Sequence, residues 1–125
     1  MLSEKISEIK KLSEISPVIV CGISKNMFQN SVVVDAKIPS KQLGIISTKD
    51  GLKYPDWYVE LKNNKEFLII DFIDSIPTEE QDKFYELIKY KEITNTALPK
   101  KTKIIVIAKD IKNVSETIKR LCMIY

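Results

Sequence analysis

The chain has 125 residues and a formal net charge of +3, and we expect one domain, residues 1–125, with no room for a second. It contains no histidine, which excludes Cys/His zinc sites and both Ser-His-Asp and Cys-His catalysis. Arg120 is the sole arginine and thus the one candidate for bidentate phosphate or guanine recognition. We therefore expect no metal site and no sequence-specific reading of DNA.

The apolar segments do not indicate a membrane protein. No apolar run approaches the length that a membrane span needs, and residues 1–15 mix lysine and glutamate with apolar residues, unlike a signal peptide. Cys21 and Cys122 lie in apolar runs. We expect a cytoplasmic protein with reduced thiols.

The first predicted elements are a helix and two buried strands. Apolar residues recur at three- and four-residue spacing up to about Ser13, which is typical of an amphipathic helix. Continuous apolar runs at 17–22 and 31–35 predict strands that are buried on both faces of a sheet. The connection at 23–30 is too short for a normal crossover helix with its loops, so we expect a deletion there.

The rest of the chain continues the alternation of strands and helices. Residues 39–51 have weak helical character, and Pro55 is placed to begin a helix that extends to Leu61. The further elements are a strand at 66–71, a helix at 77–90, an extended piece at 92–98, a strand at 103–108, a helix at 114–121 and a terminal strand at 122–125. This order predicts an α/β three-layer sandwich with a mainly parallel sheet of about five strands.

Three segments carry a resemblance to a known family. They are the strand and loop at 67–74, the run PTEEQDKF at 77–84 and the run VSETIKR at 114–120. In this order they resemble the Walker B strand, the P-x-x-x-Q-x-x-L/F helix and the L-S-x-x-x-x-R segment of the AAA+ ATPase core, most closely its MoxR-like branch. The resemblance implies a P-loop-like sheet in the order 5-1-4-3-2 and places Arg120 near the arginine-finger position. It also implies a truncated domain that lacks the family's helical lid.

The departures from the family lie at the positions that would carry chemistry. The chain has no G-x-x-x-x-G-K-[ST] loop, and residues 22–26 hold one glycine, with Lys25 three residues after it. Asp71 matches the magnesium-ligating acid, whereas Phe72 replaces the glutamate that would polarise water. We expect no catalytic residue. The candidate cofactor-binding residues are Lys25, Asp71 and Arg120. The alternatives are that Lys25 is an ordinary surface lysine, that Asp71 caps the end of its strand and that Arg120 forms a surface salt bridge.

One aromatic cluster is a candidate protein interface. Tyr54, Trp57 and Tyr58 follow a segment punctuated by glycine and proline and are weakly periodic, with core packing as the alternative. The sequence favours a catalytically inactive AAA+-like domain that acts through a protein partner, such as a AAA+ ATPase or a second copy.

Two other functions stay open. The first is residual binding of ATP and magnesium, which is the one interpretation that requires a cofactor. The second is a weak nucleic-acid-binding module, for which the support is the cluster of Lys100, Lys101 and Lys103 and the small positive net charge. Because the other lysines alternate with acids, we do not expect nucleic acid as the main partner.

Overall fold

The central sheet has five parallel strands, and the computed structural model describes them within residues 2–125. The strands of the whole chain are β1 (Val18–Cys21), β2 (Ser31–Asp35), β3 (Ile46–Thr48), β4 (Gly51–Lys53), β5 (Phe67–Asp71), β6 (Glu92–Ile93), β7 (Thr96–Ala97), β8 (Lys103–Ala108) and β9 (Met123–Ile124). The central sheet has the order β2-β5-β8-β1-β9, with parallel pairing throughout. When these five strands alone are numbered 1 to 5 along the chain, the order read from the β9 edge is 5-1-4-3-2. The predicted order is therefore confirmed.

Helices cover both faces of this sheet and complete three layers. They are α1 (Leu2–Ser13), α2 (Ser40–Leu43), α3 (Asp56–Leu61), α4 (Thr78–Gln81), α5 (Tyr85–Tyr90) and α6 (Glu116–Leu121). Helix α1 packs on the core of one face, and α2, α3, α5 and α6 pack on the core of the other face. No helix in residues 2–125 is long and apolar enough to cross a membrane.

Strand β5 shows how the two cores arise from one sequence. Phe67 and Ile69 pack in the core beneath α1, whereas Leu68 and Ile70 pack in the core beneath α3, α5 and α6. All five residues of β5, including Asp71, are buried. Successive side chains of a strand point to opposite faces, so a strand covered on both faces must be apolar at almost every position.

The connection from β1 to β2 contains no α-helix, as its length predicts. Lys25–Met27 form a single 3-10 turn, which Ser24 caps by accepting a hydrogen bond from the amide of Asn26 at 3.2 Å. Phe28 is buried and anchors the loop, with its ring centroid 5.8 Å from that of Phe67. The connection passes β8 and β5 to reach β2 at the sheet edge.

The weak helical character predicted for residues 39–51 is correct for α2 and wrong for the segment after it. Strands β3 and β4 pair antiparallel and form a two-stranded hairpin between Ile46 and Lys53, which we call the β3–β4 hairpin. Every residue of these two strands is exposed. Because neither strand has a buried face, the sequence carries no alternation by which to recognise them.

The single helix predicted at 77–90 is divided. Helix α4 ends at Gln81, a 3-10 turn spans Asp82–Phe84, and α5 follows. Gln81, Phe84 and Leu87 are three residues apart and all fully buried. A 3-10 turn has three residues per turn and therefore aligns residues at this spacing on one face.

Gln81 joins three segments of the chain. Its amide nitrogen donates to the carbonyls of Ile76 at 3.1 Å and Asn113 at 2.8 Å, and its side-chain oxygen accepts from the Ser115 amide at 2.7 Å. The Ser115 hydroxyl in turn caps α6 by accepting from the Ile118 amide at 3.2 Å. One buried side chain thus fixes the loop after β5 to the start of α6.

Replacing Gln81 with leucine, which has a similar size, should lower the free energy of unfolding by about 2–4 kcal/mol, because it leaves buried partner groups unpaired. Urea unfolding followed by the fluorescence of Trp57 measures this loss. The exposed neighbour provides a control, Glu80→Gln, which should change stability by less than about 0.5 kcal/mol. Equal stabilities of the Gln81→Leu and Glu80→Gln variants would contradict the role of Gln81.

Candidate functional site

The carboxyl ends of the parallel strands meet at one edge of the sheet, which we call the carboxyl edge. Strands β1, β2, β5 and β8 end there at Cys21, Asp35, Asp71 and Ala108. The turn at Lys25–Met27 follows β1 at the same edge. In open α/β sheets this is the edge where ligands bind.

Lys25 and Asp71, two of the candidate cofactor-binding residues, lie together at this edge. The Lys25 Nζ is 3.6 Å from Oδ2 of Asp71, and the exposed fractions of the two side chains are 44% and 3%. Burial raises the pKa of the Asp71 carboxyl, and the nearby Lys25 ammonium lowers it without cancelling the rise. The pair therefore holds an ammonium against a carboxylate that burial disfavours.

A second carboxylate stands beside this pair. Asp35 and Asp71 are register partners in the adjacent strands β2 and β5, and the charge of Asp35 also raises the pKa of Asp71. Asp35 is exposed, and its Oδ1 accepts a hydrogen bond from the Lys37 amide at 2.8 Å. We did not single out Asp35 from the sequence, although an acid that ends an apolar strand is the same signal that marks Asp71. Residues 2–125 contain no group of three or more side chains suited to hold a metal ion.

Phe72 occupies the position expected for a glutamate and is half exposed. Its backbone is left-handed, with φ 56° and ψ 46°, a conformation that phenylalanine rarely adopts. The left-handed residue turns the chain out of β5 and into the short 3-10 turn at Ile73–Ser75. A phenyl ring offers no atom that can accept a proton at this place.

Asp74, two residues further, fixes the neighbouring loop after β8. Its carboxylate accepts from the amide of Lys109 at 3.0 Å and from the amide of Asp110 at 2.7 Å. Asp110 in turn accepts from the Lys112 amide at 3.0 Å and caps the next 3-10 turn. The amides of Lys109 and Asp110 are therefore bound within the protein.

Both thiols are poor nucleophiles in the fold. Burial raises the pKa of Cys21, and the charges of Asp74 and Asp110 raise it further. Burial alone raises the pKa of Cys122 to about 12. The thiolate is the reactive form, so these shifts disfavour nucleophilic reactivity of both cysteines.

Arg120 does not lie with Lys25 and Asp71 at the carboxyl edge of its own sheet. It is exposed in the last turn of α6, and Met123, three residues on, pairs with Val18 at the start of β1. A helix that leads into a parallel strand ends at the edge where strands begin. Arg120 therefore lies at the opposite edge of the sheet.

The aromatic cluster is mostly part of the core, so its interpretation as an exposed interface is corrected for two of its three residues. Trp57 and Tyr58 are only 6% and 4% exposed. The Trp57 indole donates to the Leu43 carbonyl at 3.0 Å, and the Tyr58 hydroxyl donates to the Ala97 carbonyl at 3.2 Å. Tyr54 stacks on Tyr58 at 5.5 Å between ring centroids and is 40% exposed.

Comparisons with known proteins locate the fold but no family. No protein-family model matches the chain. No curated protein matches it either. A solved structure from Cytophaga hutchinsonii, described as a putative ATPase, is similar with a TM-score of 0.57 at 10% sequence identity. The match covers 87% of this chain and 38% of that one, so the chain spans well under half of the solved structure. The class of protein shown is an α/β domain whose fold is similar to that of this solved structure.

The raised pKa of Asp71 predicts a defined pH dependence. A carboxyl whose pKa is higher in the folded state than its ordinary 3.8 binds protons more tightly when folded, so its contribution to stability falls as the pH rises through the folded pKa. The Asp71→Asn variant lacks this loss, so its stability relative to the wild type should increase from about pH 4 upward. Urea midpoints across this range test the difference, with Asp50→Asn, at an exposed residue of the β3–β4 hairpin, as the control. A relative stability of Asp71→Asn that falls with pH would contradict the assignment.

Proposed function

We propose that this chain is a AAA+-like domain of the MoxR-like type that does not hydrolyse nucleotide and acts through contacts with another protein. The main support is the ion pair at the carboxyl edge. In a phosphate-binding loop the lysine faces the phosphates, backed by glycine-rich backbone amides and a helix N-terminus. Here Lys25 lies 3.6 Å from Asp71, and a single 3-10 turn occupies the connection.

Two further features at this edge support the absence of hydrolysis. Phe72 supplies no base for an attacking water. The amides of Lys109 and Asp110 already donate to Asp74, so they are not free to bind a γ-phosphate. Each feature removes a separate contribution to phosphoryl transfer, which depends on positioning and on charge stabilisation together.

The exposed apolar residues of the β3–β4 hairpin and the residue after it support the protein-contact half of the proposal. Ile46, Leu52 and Tyr54 are 40%, 63% and 40% exposed. Ile46 and Leu52 lie on opposite faces of the hairpin, since Ile46 pairs with Lys53 and Leu52 with Ser47. Exposed apolar side chains on an element without a buried face are candidates for contact with another protein. Tyr54 thus stays an interface candidate, and a AAA+ ATPase or a second copy of the chain is the partner we propose.

Residual nucleotide binding is the second candidate, and the proximity of Lys25 and Asp71 favours it. In this function Lys25 would turn from Asp71 to a phosphate, and the freed carboxylate would ligate magnesium. Arg120 would take part only in the site of a neighbouring copy, because it lies at the other edge of its own sheet.

An assay with magnesium-ATP separates the two functions. If the domain is inactive, we expect no hydrolysis of ATP above the rate in buffer. We also expect no nucleotide-dependent shift in melting temperature that is lost in Lys25→Ala, because the Lys25 ammonium is paired with Asp71. Differential scanning fluorimetry and phosphate release provide the measurements, with Lys49→Ala as a matched exposed-lysine control. Hydrolysis of ATP that is abolished by Asp71→Ala would contradict the hypothesis of an inactive domain. A nucleotide-dependent shift in melting temperature that is lost in Lys25→Ala but not in Lys49→Ala would support residual binding.

The contact surface has its own test. A photo-crosslinking amino acid at Leu52 should give a discrete covalent adduct in cells, because this side chain is the most exposed apolar group of the hairpin. The same amino acid at the exposed Lys11 of α1 serves as the control. Adducts that are equally frequent at both positions would argue against the hairpin as the contact surface.

A further inference from the structure

A cleft lies at the edge of the sheet opposite to the carboxyl edge, where β5 and β8 begin. It has a volume of about 790 Å³ and lies between the end of α1, the loop after α3 and the segment that leads into β8. We call it the lysine cleft, because six lysines line it: Lys62, Lys65, Lys91, Lys100, Lys101 and Lys103. The sequence alone pointed to three of them, and the fold adds the other three.

The residues of the lysine cleft account for the net positive charge of the chain. Its six lysines and two glutamates give a formal surplus of four positive charges, whereas the net charge of the chain is +3, so the remaining surface is slightly negative. Both glutamates form ion pairs with the same lysine, since Lys103 Nζ is 2.8 Å from the Glu66 carboxylate and 3.7 Å from the Glu14 carboxylate. Within residues 2–125 the other five lysines have no carboxylate partner at ion-pair distance.

Two polar groups in the wall of the cleft lack adequate partners. Lys91 is partly buried, burial lowers its pKa, and its Nζ has a long hydrogen bond of 3.4 Å to the Lys100 carbonyl. Thr102 is 1% exposed, and its hydroxyl has no hydrogen-bond partner in the described structure. Neither group therefore has a short hydrogen bond to its own protein in the described structure.

Helix ends explain only part of this arrangement. Helices α1, α3 and α5 end at this edge, and the partial negative charge of a helix C-terminus favours nearby lysines. Lys62 and Lys91 directly follow α3 and α5 and serve this purpose. Lys65, Lys100 and Lys101 do not follow a helix end in this way, and helices of six residues have small dipoles.

We propose that the lysine cleft binds a small, multiply charged oxyanion, with phosphate or carboxylate groups. The volume lies in the range of small-ligand sites, roughly 300–1,000 Å³. Lysines act as point charges that do not require the planar geometry of a bidentate arginine contact. No aromatic ring lines the cleft, so it has no platform on which nucleic-acid bases could stack.

Calorimetric titration of the intact chain with inorganic tripolyphosphate, and separately with citrate, tests the proposal and distinguishes phosphate from carboxylate ligands. The cleft variant Lys65→Gln/Lys100→Gln/Lys101→Gln should bind about tenfold more weakly than the wild type, since each exposed charge contributes modestly. A matched variant removes three exposed lysines elsewhere, Lys37→Gln/Lys41→Gln/Lys49→Gln, and should change the affinity less than about twofold.

A further variant distinguishes anion binding at the lysine cleft from anion binding elsewhere on the protein. The affinity for tripolyphosphate should survive Lys25→Gln, which separates the cleft from the carboxyl edge and from the proposed lack of hydrolysis there.

The opposite results would overturn the proposal. One is an equal loss of affinity in the two triple variants, which would reflect net charge alone. Another is loss of binding in Lys25→Gln. A third is binding of a twelve-nucleotide single strand or an octaglutamate peptide at the cleft while neither small anion binds, because the cleft would then be a macromolecular surface.

Discussion

The fold and its candidate site both depend on the complete burial of β5. All five residues of this strand are buried between β2 and β8, so its last residue is a carboxylate that burial drives toward the neutral form. Lys25 offers the ammonium that offsets this cost. Lys25 is thus engaged in balancing a buried charge of its own protein.

Two side chains connect the carboxyl edge to neighbouring segments through hydrogen bonds. Asp74 binds the loop after β8, and Gln81 fixes the loop after β5 to the beginning of α6. Both bind backbone groups, which restricts the loops without placing reactive atoms at the edge. The carboxyl edge is therefore ordered by internal hydrogen bonds, whereas the lysine cleft at the opposite edge contains a buried hydroxyl, that of Thr102, for which the described structure shows no partner.

The sequence predicted the parts of the fold that burial on both faces determines. Continuous apolar runs predicted the bounds of β2, which the structure confirms. The strand order and the grouping of Lys25 with Asp71 were inferred from the family resemblance instead, and the ion pair between the two residues was not predicted. The β3–β4 hairpin has no buried face and left no such pattern. The lysine cleft combines segments some forty residues apart, and the burial of Trp57 depends on α2, so neither follows from local spacing.

The state of the Asp71 carboxyl is the most direct test of the central claim that the edge is closed by its own ion pair. A carbon-13 NMR titration of this carboxyl should give a pKa above the ordinary aspartate value, and a higher one in Lys25→Gln, because the ammonium lowers it. Saturating magnesium-ATP should leave the signal unchanged. A pKa at or below the ordinary value, or a shift of the signal on addition of magnesium-ATP, would contradict the account.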